Sequence, residues 1–342
     1  MKRVRVLVVD DSATMRGVIA ATLMRDPSID VVGQAGDAME ARAAIKALDP
    51  DVMTLDVEMP NMNGLDFLDK VMRLRPFPVV MVSSLTEKGA ATALSALELG
   101  AVECVGKPSA RDPNSFDALA PTVRAAATAR PGRAGAAPRV AKAAPAYRWN
   151  GDVVAIGAST GCVEALMALI PHFPANCPPT VVTVHMPGEF TRSFARRLDG
   201  ATAAQVREAS DGAQLAQGCV YLAPGTHTHL CVVDAGGLKC RLRAGDQVNG
   251  HRPAVDVLFR SVAESCGARA VGAILTGMGK DGAAGLLAMR QRGARTLGQN
   301  EASCIVYGMP KVASQIGAVE QELSIQALGP RLIQLTSKSN EK

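Results

Sequence analysis

Val153-Val154-Ala155-Ile156-Gly157-Ala158-Ser159-Thr160-Gly161 is the stretch on which the reading of this 342-residue chain turns. An apolar, β-branched run breaks into a turn in which Gly157 and Gly161 flank a serine, and the segment Val163 to Leu169 that follows is helix-like. The pattern predicts a strand, a tight turn and a helix, with the Ser159 hydroxyl exposed on the turn, where a nucleophile belongs. Small residues also serve any strand-to-helix turn, so the Gly-x-Ser-x-Gly spelling alone does not settle catalysis. A dinucleotide cradle of the G-x-G-x-x-G type would need glycine where Ser159 stands.

Downstream, Val181 to Val184 reads as a strand ending in His185, and Met186-Pro187 breaks the segment. A second apolar strand, Val271 to Leu275, runs into Thr276-Gly277-Met278-Gly279-Lys280-Asp281-Gly282 before a helical Ala283 to Met289. Ser159, His185 and Asp281 thus each follow a strand, and in a parallel sheet such ends share one edge and one cleft. The chemistry of that trio is acyl transfer: Ser159 attacks a carbonyl, His185 takes its proton, and Asp281 orients the imidazole. Backbone N–H groups at Met278 and Thr160 are the oxyanion candidates. A histidine at a strand end also serves as a hydrogen-bonded structural residue, and Asp281 is well placed for an N-cap. An α/β-hydrolase is disfavoured, because its triad runs Ser, Asp or Glu, then His, whereas His185 precedes Asp281.

Upstream, Val4 to Val9 reads as a buried parallel strand followed by Asp10-Asp11-Ser12. Helical spacing through Met15, Ile19 and Leu23 comes next, then a strand from Asp30 to Gln34 and a helix from Ala38 to Leu48. Val52 to Leu55 ends in Asp56, Val79 to Val82 in Ser83 and Ser84, and Ala101 to Val105 leads to Lys107-Pro108. This alternation predicts a doubly wound parallel sheet with Asp10, Asp11, Asp56, Ser83 and Lys107 at its carboxyl edge. Carboxylates converging there repel one another without a cation, and oxygen ligands suit Mg²⁺. Asp56, on the central strand by chain order, is the candidate nucleophile toward a phosphoryl group, although each Asp alone is ordinary at a strand end.

Length favours two domains. A hydrophobic content of 48% with 20% charged residues suits two packed cores. The net charge of +5 is local: Pro121 to Trp149 holds six basic residues and no acid, and removing those six from the 37 Lys+Arg leaves 31 against 32 acids. That Ala/Pro/Gly-rich segment reads as a flexible linker, and nucleic-acid binding is not expected of it. Eight cysteines without C-x-x-C spacing read as reduced thiols in a cytoplasmic protein. No secretory signal or membrane span is legible.

The motifs of the first 120 or so residues, Val9-Asp10-Asp11-Ser12, Leu55-Asp56-Val57-Glu58-Met59-Pro60, Gly64 and Lys107-Pro108, resemble the receiver domain of two-component response regulators. The resemblance implies a (βα)5 flavodoxin-like fold and phosphorylation of Asp56 by a CheA-type histidine kinase. It also implies Mg²⁺ on Asp11 and Asp56 with Asp10 in support, and Ser83 and Lys107 sensing the phosphate. Cys104 stands where such domains often carry an aromatic switch residue.

In the second half the serine turn, Val184-His185-Met186-Pro187, Tyr221-Leu222-Ala223-Pro224-Gly225, His251-Arg252-Pro253-Ala254-Val255-Asp256, Leu275 to Gly282 and Gln299-Asn300-Glu301-Ala302-Ser303-Cys304 resemble the catalytic domain of the chemotaxis protein-glutamate methylesterases, CheB. What this implies is a doubly wound α/β catalytic domain with a mostly parallel sheet, without a cofactor, whose triad is Ser159, His185 and Asp281. It further implies demethylation of glutamate esters on methyl-accepting chemotaxis receptors, with deamidation of receptor glutamine in many members. In the family the unphosphorylated receiver packs over the cleft, and phosphorylation relieves that block. The expected boundaries are a receiver over 1–121, a basic linker over 122–148 and a catalytic domain over 149–342. Cys162 stands where the pattern usually has a second glycine after Gly161, which predicts a crowded turn and a tuned activity.

Overall fold

The computed structural model describes residues 2–59, 62–83, 87–108, 114–129 and 147–338, and the chain divides into two compact units, Met1–Ala134 and Gly135–Lys342. Pro60, Ser84 and the central part of the expected linker, 130–146, lie outside the described residues.

The first unit alternates strand and helix: β1 (Val4–Val9), α1 (Ala13–Met24), β2 (Ile29–Ala35), α2 (Ala38–Leu48), β3 (Val52–Asp56), α3 (Gly64–Leu74), β4 (Val79–Ser83), α4 (Glu87–Glu98), β5 (Glu103–Gly106) and α5 (Leu119–Thr128). Its sheet is parallel in the order β2-β1-β3-β4-β5. The apolar runs of β3 and β4 are buried throughout, which is why they show no polar alternation. The side chains of Ser12, Asp37 and Asn63 cap α1, α2 and α3 by accepting from N–H groups in their first turns.

The start of the expected linker needs correction, because residues 122–128 belong to α5, where Val123, Ala125 and Ala126 are buried. Alanine-rich composition looks like a soft tether, yet alanine is the strongest helix former, and Pro121 falls in the first turn where proline is tolerated. The fifth strand also starts later than expected, at Glu103.

The second unit runs β6 (Val153–Ala158), α6 (Cys162–Leu169), β7 (Thr180–Val184), α7 (Gly188–Ala201), β8 (Gln205–Glu208), β9 (Cys219–Leu222), β10 (Thr228–Asp234), β11 (Leu238–Ala244), α8 (Val255–Cys266), β12 (Ala270–Ile274), α9 (Ala283–Gln291), β13 (Arg295–Gln299), α10 (Met309–Gln315), β14 (Gln321–Leu323) and α11 (Ile325–Leu335). Seven strands form one parallel sheet in the order β14-β13-β12-β6-β7-β9-β8. The other two, β10 and β11, make an antiparallel hairpin whose Leu230, Val232 and Cys240 join the core around Leu258 and Phe259 of α8.

After β6 the chain builds the sheet outward through β7, then returns to the other side of β6 with β12. The carboxyl ends of β6, β7 and β12 therefore meet where the strand order reverses, the place such sheets use for ligands. No helix among the described residues is long and apolar enough to cross a membrane, and all eight cysteines are free thiols.

Candidate active site and phosphoacceptor site

The turn that carries Ser159 is held from three directions. Ser159 N–H donates to the Thr276 carbonyl at 3.0 Å, and Cys162 N–H donates to the Ser159 carbonyl at 2.8 Å. Between them Gly161 adopts φ 81°, left-handed backbone that glycine takes without strain, and a Cβ there would stand 2.8 Å from Ile305 Cβ. Cys162 is the first residue of α6 and is buried, and the left-handed position of the turn, which favours glycine, is Gly161.

His185 lies just past β7, and its Nδ1 is 3.0 Å from Ser159 Oγ while its Nε2 is 2.8 Å from Asp281 Oδ2. Asp281 is 1% exposed, so burial by itself raises its pKa. Hydrogen bonds from His185, Asn249 Nδ2 (2.9 Å) and Val255 N–H (2.7 Å) outweigh that and hold it at about 2. An ionised carboxylate only accepts, so Nε2 carries the proton and Nδ1 offers its lone pair to the Ser159 hydroxyl. The N–H groups of Val255 and Asp256, at the start of α8, both point at this carboxylate, adding the positive end of the helix dipole.

Several supporting residues were missed from sequence. Asn249, at φ 54°, bridges Asp281 Oδ1 and Asp256 Oδ2 at 2.9 Å each. His251 stacks on His185 with ring centroids 3.6 Å apart and planes 8° apart; burial and the neighbouring His185 lower its pKa to about 4. Gln299 accepts from Thr276 N–H at 2.8 Å, and Thr276 Oγ1 donates to the Thr160 carbonyl at 3.0 Å, tying the loops after β6, β12 and β13 together. His251 and Gln299 stand in sequence motifs, but nothing in the spelling says what they touch; Asn249 stands in none.

A Cβ on Gly277 would lie 2.8 Å from Ser159 Cβ, so the backbone just before Met278 packs on the serine, and Thr160 follows Ser159 in the chain. The N–H groups of Met278 and Thr160 donate no hydrogen bond among the described residues, whereas those of Ser159 and Gly277 are spent on carbonyls.

In the first unit Asp10 and Asp56 are buried at the ends of β1 and β3, Asp11 is exposed, and oxygens of the three lie within 4.8 Å of one another. Lys107 Nζ reaches Asp10 at 2.9 Å and Asp56 at 2.8 Å. Burial raises the Asp56 pKa, and the Lys107 ammonium only partly offsets it. Desolvation pulls Lys107 down, but the two carboxylates raise it on balance. Three carboxylates against one ammonium leave surplus negative charge in an all-oxygen donor set, which fits Mg²⁺. Gly64 is required here, since a Cβ would stand 2.0 Å from the Asp56 carbonyl oxygen. Ser83 is buried at the end of β4, and its carbonyl accepts from Lys107 N–H at 2.8 Å. Cys104, partly buried, lies on β5 opposite Met81.

Residues 154–332 match the family model for the CheB methylesterase, and residues 6–114 match that for the response regulator receiver domain. The protein-glutamate methylesterase/protein-glutamine glutaminase 1 of Caulobacter vibrioides is 61% identical, covering 98% of this chain and 99% of the relative. Its counterpart from Agrobacterium fabrum is 59% identical, covering 98% of each. The crystal structure of the Thermotoga maritima CheB methylesterase catalytic domain is similar at 38% identity and a TM-score of 0.53, covering 54% of this chain and 99% of that one. With both family models matched in this order and relatives of this identity over its length, the chain belongs to the CheB methylesterase family, in the form that carries a response regulator receiver domain ahead of the methylesterase domain.

Proposed function

We propose that this chain is a phosphorylation-activated serine hydrolase that removes methyl esters from glutamates of methyl-accepting chemotaxis receptors and deamidates receptor glutamine by the same route. The observation that carries the reading is the hydrogen-bonded line Ser159–His185–Asp281 at the carboxyl edge of a parallel sheet. As Ser159 Oγ bonds to the ester carbon, its proton passes to His185 Nδ1 and the carbonyl electron pair moves onto oxygen. The N–H groups of Thr160 and Met278 are assigned to that oxyanion. Collapse breaks the C–OCH₃ bond, and the Nδ1 proton leaves with methanol. Water then adds to the acyl-serine while His185 takes its proton, and Ser159 departs with that proton, leaving glutamate on the receptor. With glutamine the leaving group is ammonia. Asp281 stays ionised throughout and supports the imidazolium.

In the receiver, Asp56 is assigned as the phosphoacceptor for a CheA-type histidine kinase, with Ser83 and Lys107 as the groups that meet the phosphate. Asp10, Asp11 and Asp56 would hold Mg²⁺, which when bound neutralises charge on the transferring phosphoryl group. On this reading the receiver reaches Thr128, the protein works in the cytoplasm, and neither nucleic acid nor membrane insertion is involved. Methanol release from methylated receptor membranes tests it. The wild-type chain is expected to release methanol, faster with acetyl phosphate, and Ser159→Ala to release none above background. Substantial release by Ser159→Ala would remove the reading.

A further inference from the structure

On the receiver, α2 and α3 leave an apolar groove of about 510 Å³ between them. Its floor and walls include Phe67, Val71 and Phe77, while Met39 and Leu74 on its rims are 83% and 82% exposed. Large apolar side chains set this far into solvent around a concave apolar floor mark an interaction surface, and flexible methionines suit a helical guest. Every charged residue lining the groove is a cation: Arg42, Lys46, Lys70 and Arg75. Of these, Arg75 pairs with Asp49, while Arg42 and Lys46 have no carboxylate partner among the described residues.

The charge pattern selects the occupant. The segment 130–146 of this chain carries Arg130, Arg133, Arg139 and Lys142 without an acid, so it is repelled by the same rim. An acidic amphipathic helix is complementary on both counts. The reaction assigned above makes such a surface, because each turnover converts a neutral ester or amide into a carboxylate. We infer that the groove between α2 and α3 docks a glutamate-bearing helix of the receptor substrate, and that it holds the demethylated, more acidic form more tightly. The inference rests on the proposed esterase reading for the identity of its partner. The chain then stays on receptors it has already processed, with its catalytic unit tethered beside sites still esterified.

The test is binding of a purified receptor cytoplasmic fragment, with its modification sites either all Glu or all Gln, to the full chain carrying Ser159→Ala so that neither fragment is altered. The all-Glu fragment is expected to bind roughly tenfold more tightly at low salt, with the difference shrinking as salt is added. Arg42→Glu with Lys46→Glu should abolish that preference, and Met39→Glu with Leu74→Glu should weaken both fragments about tenfold. All four positions are on the surface, and unchanged thermal unfolding together with normal Asp56 phosphorylation by acetyl phosphate would show the variants folded. Equal affinity for the two fragments, or wild-type affinity in both double variants, overturns the inference. So does loss of affinity confined to a histidine-kinase fragment. Methanol release by the chain without Ser159→Ala is measured in parallel: binding without release would leave the docking surface standing and remove the esterase reading.

Discussion

Asp281 uses both of its oxygens: Oδ2 accepts from His185 and Val255 N–H, and Oδ1 from Asn249 and Asp256 N–H. Exchanging it for asparagine removes the charge and puts an N–H₂ donor into a site built only to be accepted from, so Nε2 would have to turn acceptor and Nδ1 would present a proton to Ser159. Asp281→Asn should therefore lower kcat by about 10³–10⁴-fold with the fold intact, measured as methanol release. The sign of its linkage follows from a folded pKa of about 2 against the ordinary 3.8. Its contribution, about 2 kcal/mol, is present above pH 3.8 and is lost as pH falls toward 2, which urea unfolding between pH 5 and 2.5 would show as a loss absent from Asp281→Asn. His251 faces His185 ring to ring, and the Asp281 charge acts on it against the lowering by burial and His185. Truncation to alanine frees the His185 ring to tilt; His251→Ala is expected to cost about tenfold in kcat, and His251→Phe, which can stack without titrating, to restore most of it.

At the scale of elements, strands with continuous apolar runs were legible because burial on both faces of a parallel sheet leaves no other sequence signature: β1, β3, β4, β7 and β12 fall within a residue or two of where periodicity puts them. The convergence of Ser159, His185 and Asp281 was legible for the same reason, since each follows such a strand: Ser159 and His185 directly, Asp281 at the end of the loop after β12. What escaped was anything fixed by distant contacts. In the hairpin β10–β11 only β11 alternates apolar and polar residues, while β10 buries His229 to Val232 in a row beneath α8, and Asn249 reaches an aspartate 32 positions away. Composition misassigned 122–128, where alanine marks helix rather than tether. Gly64 marks the opposite case, a single letter in the sequence with a sharp structural reason. Gly64→Ala forces a Cβ against the Asp56 carbonyl, and the expected cost is about 1–3 kcal/mol in urea unfolding, together with slower phosphorylation by acetyl phosphate as the loop after β3 shifts.

Across the whole molecule, Asp56 and Ser159 belong to different compact units, so any effect of one on the other is a coupling free energy between sites and is bounded by what phosphorylation changes locally. A phosphoryl group on Asp56 adds negative charge and acceptor oxygens beside the Lys107 ammonium, a change of the kind worth 1–3 new charge-assisted hydrogen bonds. Couplings of that origin run to about 1–3 kcal/mol, which corresponds to roughly 5–150-fold. Acetyl phosphate should accordingly raise methanol release by a factor in that range, and a much larger factor would require a second source of coupling. With Mg²⁺ assigned as proposed to Asp10, Asp11 and Asp56, this stimulation is expected to depend on the ion, whereas Ser159, His185 and Asp281 belong to no metal-ligand cluster among the described residues. EDTA and Asp56→Asn should thus each abolish stimulation while leaving the unstimulated rate unchanged. Loss of the unstimulated rate on adding EDTA, restored by Mg²⁺ even in Asp56→Asn, would place a metal requirement in the hydrolytic unit and contradict the assignment of the ion to the receiver alone.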